Sequence, residues 1–333
     1  MNKAFRALAC VGWIAISAAL CAPLATLGAA AAWKPDRNVE IIVPSSPGAG
    51  TDVTARSMQR LLREKKLIEV SASVVNKPGG ANVIGMTYLT QHAGDGHYLM
   101  FITPGLLATH IMGLSHLSYT DITPLAVLGT ESVVFAVRAD SPLKSARDLA
   151  DRFKADPASV SVAIAPALGN HNHIAAAQVV KSVGANVKNM KVVVFNGSAE
   201  AVTALLGGHV DVVLTSASVL LENLKAGRIR ILAVSAEQRL RGVLAMIPTW
   251  KELGIASVST TWRGLFGPGG MNEEQIRYWD QVFAALVQLP EWKQYLDANL
   301  IENTYLNAKD SRKMIDAQNA ALTVVLTELG LAK

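Results

Sequence analysis

Short β-prone apolar runs alternate along this chain with longer stretches of helical period. Val39 to Val43, Ser73 to Val75, Tyr98 to Ile102, Val133 to Val137, Val160 to Ile164, Lys191 to Phe195, Val210 to Leu214 and Ile229 to Val234 read as strands. Ala55 to Glu64, His173 to Val183 and Ser198 to Leu206 read as helices, and a helical C-terminus follows Asn272. Such alternation predicts an α/β fold with mainly parallel sheets. Ser141 to Leu149 reads as a turn plus a capped helix just after a strand, so a crossover into a second unit is expected there; Val234 to Arg239 marks a second one. The expected layout is a first lobe of residues 33–135 plus 236–333, a second lobe of 136–235, and a two-strand hinge between them. No internal repeat and no low-complexity tract interrupts this plan.

The N-terminus follows different rules. Lys3 and Arg6 precede an apolar run from Ala7 to Leu20 and an alanine-rich tail without acidic residues, the pattern of a secretory signal peptide over residues 1–32 with cleavage after Ala32. The alternatives are a retained anchor or, through Cys21, a lipoprotein, although Cys21 follows Ala19-Leu20 rather than the small pair that lipid attachment favours. Cys10 and Cys21 both lie in this segment, so the processed chain would carry no disulfide, thiolate nucleophile or cysteine-ligated metal. Loss of Lys3 and Arg6 takes the formal charge from +5 to +3, which gives nucleic-acid binding no support. No later apolar run reaches the roughly eighteen residues a membrane span needs. A soluble, periplasmic protein is expected.

Composition thus narrows the chemistry to what the strand–helix turns can do, because open α/β sheets bind ligands where strands end and helices begin. The first such turn, Ser45-Ser46-Pro47-Gly48-Ala49-Gly50-Thr51-Asp52, follows Ile41 to Pro44 and precedes a helix. Its amides from Gly48 to Thr51 can cradle a carboxylate, with Ser46 and Thr51 hydroxyls as further donors. Ordinary helix capping by Thr51 or Asp52 explains the same spacing. Asn76-Lys77-Pro78-Gly79-Gly80-Ala81 offers a second turn of this kind, and Thr103 follows the strand ending at Ile102. In the second lobe, Gly169, Asn170 and His171 form a polar helix start with Asn170 and His171 as donors, while His173 is expected to pack inward. Phe195, Asn196, Thr215 and Ser216 sit at two more strand ends, whereas Asp211 more simply closes a turn. His171 and His173 lack the third and fourth ligands of a metal site. The chain has no Gly-x-Ser-x-Gly elbow, Walker lysine or His-Glu-x-x-His pair, so neither a cofactor nor an enzyme is expected, though a scattered triad would leave no such mark.

Taken in order, Ile41 to Asp52, Val75 to Gly80 with Ile84-Gly85, Asp95 to Leu99, Thr123 to Ala126, Gly207 to Asp211, Ala226 to Val234 with Arg239, and Pro248 to Gly254 resemble the Bug (TctC-like) receptors of tripartite tricarboxylate transporters. The resemblance spans nearly all of the processed chain. It implies a two-lobed Venus-flytrap fold, a small organic acid held between the lobes, and delivery to a two-component membrane permease; some relatives serve sensor systems instead. Separately, a monomer is expected. It also nominates Ser46, Gly48, Ala49, Gly50, Thr51, Asp52, Gly80 and Ala81 as the grip on one carboxylate. The second lobe departs from the family pattern: Ala165 to Asn170 replaces a serine- and glycine-rich loop, and Phe195-Asn196-Gly197 replaces Tyr-Lys-Gly. The distal half of the ligand is therefore expected to differ, with a tilt toward a monocarboxylate or an aromatic acid.

Overall fold

The computed structural model describes residues 32–333, so the proposed signal peptide, Ala32 apart, lies outside the described residues. Two sheets are joined by one long strand. In the first, β1 (Val39–Val43) pairs in parallel with β2 (Ala72–Asn76) and β3 (Tyr98–Ile102). Next to β3 lies the antiparallel β9 (Thr260–Pro268), and beyond it the first part of β4 (Ile122–Arg138). In the second sheet, β7 (Val212–Ser216) and β8 (Ile229–Ser235) flank the rest of β4, both antiparallel to it. Parallel to β7 run β5 (Ser161–Ile164) and, outermost, β6 (Lys191–Val194).

The switch between sheets occurs within β4, where Ser132 pairs with Thr260 of β9 while Val133 pairs with Ser216 and Ser235. Beside it runs the returning chain: Ser259 donates its amide to Ser235, and Val133 donates to Ser259. Strand directions have a geometric consequence. Because β9 is antiparallel to both β3 and β4, the strands β1, β2 and β3 run the same way as β4, toward the second sheet. β5, β6 and β7 run against β4, toward the first. The carboxyl ends of both parallel sets therefore face one another across the switch.

The inner strands of each sheet are buried on both faces, which explains why they read as largely apolar runs, whereas the edge strands β2 and β6 stay partly exposed. Val39, Ile41 and Val43 pack on one face of the first sheet with α1 (Gly50–Glu64) and α8 (Glu273–Gln288), while Ile42 packs on the other with α3 (Gly105–Ile111) and α10 (Ala308–Glu328). In the second sheet Val133, Phe135 and Val137 face α4 (Ala146–Ala155) and α5 (His171–Ser182), and Val134 and Ala136 face α6 (Ser198–Leu206) and α7 (Ala217–Lys225). The predicted capped helix near Ser145 is α4, whose capping box joins Ser145 and Asp148.

Three features differ from the sequence reading. β4 begins eleven residues before Val133, and β9 is a strand that the apolar pattern does not announce. Polar and backbone-special residues break both runs: Pro124, Gly129, Glu131 and Ser132 in β4, Arg263, Gly264 and Gly267 in β9. The segment after β8 also stays with the second sheet, since Trp250 is buried beside Phe135 and Leu240 and Leu244 pack below Val134. The chain re-enters the first sheet only at Thr260. Among the described residues, no helix is long and apolar enough to cross a membrane.

Candidate functional site

Strand register gathers the predicted residues along two opposed edges. Val43 lies beside Asn76, and Ile42 beside Met100, so the turns after β1 and β2 and Thr103 after β3 share one edge. Ile164 lies beside Val194, and Ala163 beside Val213, which places the Gly169 loop, Phe195 and Thr215-Ser216 on the other.

On the first edge α1 begins at Gly50, five residues earlier than the expected Ala55, so neither Thr51 nor Asp52 is its cap. The cap position belongs to Ala49, whose side chain makes no capping bond. The amides of Gly50, Thr51 and Asp52 are thus the first-turn donors that a helix leaves without internal partners. The turn is held open from within. Asp52, only 2% exposed, accepts from the Gly48 amide (2.8 Å) and Arg56 Nε (2.9 Å) on one oxygen and from Asn76 Nδ2 (2.9 Å) on the other. Asn76 also holds the Ser45 carbonyl at 2.9 Å, and the Ser45 and Thr51 hydroxyls meet at 2.6 Å. Burial raises the Asp52 pKa, but the bonds from Arg56, Gly48 and Asn76 together outweigh it and hold the carboxyl below its ordinary value. The Asp52 carboxylate is therefore committed to the turn, as is the Gly48 amide, and the Ala49 amide is given to the Ser46 carbonyl at 3.2 Å. Of the nominated amides, those from Gly50 onward remain for a ligand.

The next turn is backbone-strained. Gly79, Gly80, Ala81 and Asn82 all have positive φ (117°, 56°, 51° and 81°), a run that costs free energy at the two non-glycine residues. The Thr109 hydroxyl on α3 lies against it, sharing its one proton between the Gly105 carbonyl (2.9 Å) and the Ala81 carbonyl (3.1 Å). Strain held by a neighbouring helix at a crevice edge fits a site whose backbone geometry is needed for recognition.

Beneath α1 lies a buried group that the sequence reading missed. Arg263 on β9 forms an ion pair with Glu131 on β4 and donates to the Gly50 carbonyl and the Thr54 hydroxyl. Glu131 and Arg263 are 3% and 8% exposed. Thr54 also meets the Tyr295 hydroxyl at 2.7 Å. The available signal was a charged residue inside each of two strand-like segments, which is costly unless paired.

The second edge satisfies its own polar groups. Asn170 caps α5: its Oδ1 accepts from the His173 amide (2.9 Å), and its Nδ2 donates to the Ala165 carbonyl. The Gly169 amide donates to His173 Nδ1 at 3.0 Å. The Asn170 amide group and the Gly169 N–H are consequently spent within the loop, unlike the donors expected there. Burial pushes His171 and His173 down to about 4, so both are neutral near pH 7. His171 keeps a buried Nδ1 without a partner. Phe195 is half-buried against the core beside Val134, Thr215 is buried, and Asn196 is exposed with its amide on Glu200 at 3.1 Å. A cavity of about 190 Å³ lies at the switch, lined by Pro104, Gly169, His171, Ser259, Thr260 and Gln318. A larger one, about 410 Å³, runs between α5 and α10 past Gln178 and the Lys181–Glu328 pair. Among the described residues no three His, Cys, Asp or Glu side chains gather as a metal would require.

Residues 53–331 match the family described as "Tripartite tricarboxylate transporter family receptor". The protein BugT of Bordetella pertussis is 30% identical over 276 residues, 81% of each chain. A TctC solute binding protein from Polaromonas, solved without ligand, is 28% identical and superposes with a TM-score of 0.72 over 89% of this chain and 99% of its own. An R. palustris protein solved with adipate superposes with a TM-score of 0.80 at 24% identity, over 90% of this chain and 99% of its own. The architecture is thus the two-lobed periplasmic-binding-protein fold, with mainly parallel outer strands and two chain segments crossing between the sheets.

Proposed function

The chain belongs to the tripartite tricarboxylate transporter receptor family, and on that premise we propose that it is an exported, periplasmic receptor that captures a small carboxylate between two lobes and hands it to a two-component membrane permease. The observation that carries this reading is the opposition of two strand-end edges, one of which presents the open first-turn amides of α1. Relatives of the same fold solved with adipate and with malate support an acid as the ligand. The lobes follow the two sheets: residues 33–132 with 260–333 form the first, and 133–259 the second, the return through 236–259 lying against the second. Gly50, Thr51, Gly80 and Ala81 grip one carboxylate through backbone groups. Ser46, Gly48, Ala49 and Asp52 shape that grip, and Thr103 flanks it. Gly169, Asn170, His171, Phe195, Asn196, Thr215 and Ser216 frame the distal end, where a neutral edge suits a monocarboxylate or an aromatic acid. The family reading assigns no catalytic step.

A ligand that binds only the folded protein raises its melting temperature. Heating the purified protein with mono-, di- and aromatic carboxylates, alongside mass spectrometry of co-purifying molecules, tests the proposal. We expect at least one acid to raise the transition by several degrees and X-ray scattering to show compaction with it, because only a closed state touches both lobes. No shift with any acid, and no acid co-purifying, would overturn the reading.

A further inference from the structure

We propose that the buried Glu131–Arg263 pair is a polarising device for the carboxylate grip, a role that rests on the carboxylate reading above. Arg263 donates to the Gly50 carbonyl, and that carbonyl belongs to the peptide group whose N–H is the Thr51 amide. A cation bound at the oxygen end of a peptide withdraws charge from its nitrogen end and strengthens that N–H as a donor. Glu131 on β4 holds Nη2 of the same guanidinium whose Nη1 reaches the Gly50 carbonyl, so it fixes the cation at the opening of α1 and moderates its charge there.

Helix electrostatics single this arrangement out. A helix N-terminus already carries positive partial charge, so a residue chosen to stabilise α1 alone would be acidic. Here a cation is buried against the first turn with its charge matched by Glu131, so it polarises the Gly50–Thr51 peptide without adding net charge to the helix start. Residue 50 is kept bare to admit the guanidinium, since a Cβ there would come within 3.1 Å of Arg263 Nη2. Asp52 is already balanced by Arg56, and Glu131 by Arg263, so the site is close to neutral and an incoming carboxylate meets no net repulsion. Arg263 thus acts through Gly50 and Thr51, as a positioning residue.

The test compares three variants of the full processed protein: Arg263→Gln, Glu131→Gln and the double variant, whose paired amides keep the shape of the ion pair. Without ligand, the Thr51 amide proton should move upfield in Arg263→Gln and in the double variant, and downfield in Glu131→Gln. With adipate, malate and benzoate as probes in titration calorimetry, Arg263→Gln should weaken whichever acid binds the wild type by about tenfold, and Glu131→Gln should tighten it by about threefold. A purely structural pair predicts that both single variants weaken binding and that the double variant restores it; that result overturns the proposal. Melting curves of each variant identify misfolding, and if Arg263→Gln does not fold, the double variant against Glu131→Gln decides. Should no probe bind the wild type while the Thr51 shifts follow the predicted signs, the device stands and the carboxylate reading fails. Thr51 shifts of the same sign in all three would remove the device whatever binds.

Discussion

The two edges of the crevice are built from the same kind of turn and dispose of their polar groups in opposite ways. On the first edge, side chains from three elements converge on the turn after β1: Asp52 and Arg56 from α1, Asn76 from β2 and Arg263 from β9. They tie down its carbonyls and its outer amides and leave the first-turn amides of the helix exposed to the crevice. On the second edge, the loop before α5 closes on itself, with Asn170 filling the cap and His173 taking the Gly169 amide. One edge supplies hydrogen-bond donors, and the other supplies a neutral, shaped wall. Affinity for an acid should then reside in the first edge, and the choice among acids in the second.

The largest effect that would break this comparison is expected at Asp52. Asp52→Ala removes an acceptor shared by Gly48, Arg56 and Asn76, and should cost about 3 kcal/mol of stability together with about a hundredfold in carboxylate affinity. Urea melts and calorimetry read the two losses separately; an unaltered affinity would show that the turn does not need its internal brace.

A smaller contrast is expected with pH. His171 and His173 are held neutral with pKa values near 4, below the unfolded value of 6.5, so the unfolded chain binds the extra protons first. Their contribution is complete above pH 6.5 and is lost as pH falls toward 4, with a slope of up to about 1.4 kcal/mol per pH unit for each histidine. Asp52 behaves otherwise: its pKa lies below 3.8, so its contribution is complete above that value and fades only as pH falls through the depressed one. Urea midpoints should therefore decline between pH 6.5 and 4.5, and His173→Gln, the better buried of the two sites, should flatten that decline by about half. A midpoint that holds constant to pH 4.5 would erase the difference between the edges.

The smallest effect is expected at Asn170. Asn170→Ala removes a helix cap and should cost about 1 kcal/mol of stability while changing carboxylate affinity less than Asp52→Ala by an order of magnitude or more. Equal losses of affinity at both positions would mean that the second edge also supplies donors.

The sequence was most legible where strands are buried on both faces. β3 and β5 are nearly continuous apolar runs for that reason, and β1 and β8 are interrupted by a single charged residue each, Glu40 and Arg230; together they carry most of the sheet plan. β9 was hidden because its role is partly electrostatic: Arg263 interrupts the apolar run, and its partners Glu131 and Gly50 are remote in sequence. At the site, glycine and small polar residues at strand ends marked where the edges would be. They could not show which way a carboxylate or an amide would turn, since Asp52 and Asn170 have the same turn-forming chemistry whether they face a ligand or their own backbone. Helix α1 starting at Gly50 rather than at Ala55 has the same origin: the brace on Asp52 comes from Asn76, twenty-four residues away.

The place of β9 in the first sheet also bears on how the chain is assembled. β3 and β4 are close in sequence yet do not touch as ladder partners; β9 lies between them, so Met100 finds its neighbour in Phe266 and Pro124 finds the same residue from the other side. Until residues 260–268 are available, the first sheet has a vacant slot flanked by two unpaired strand edges, whereas β4 through β8 can already complete the second. Closing that slot means bringing together residues far apart in sequence, the slow kind of step in folding. The strand that carries Arg263 is thus also the keystone of the first sheet, and the amide grip of α1 gains its underside only when folding is nearly done.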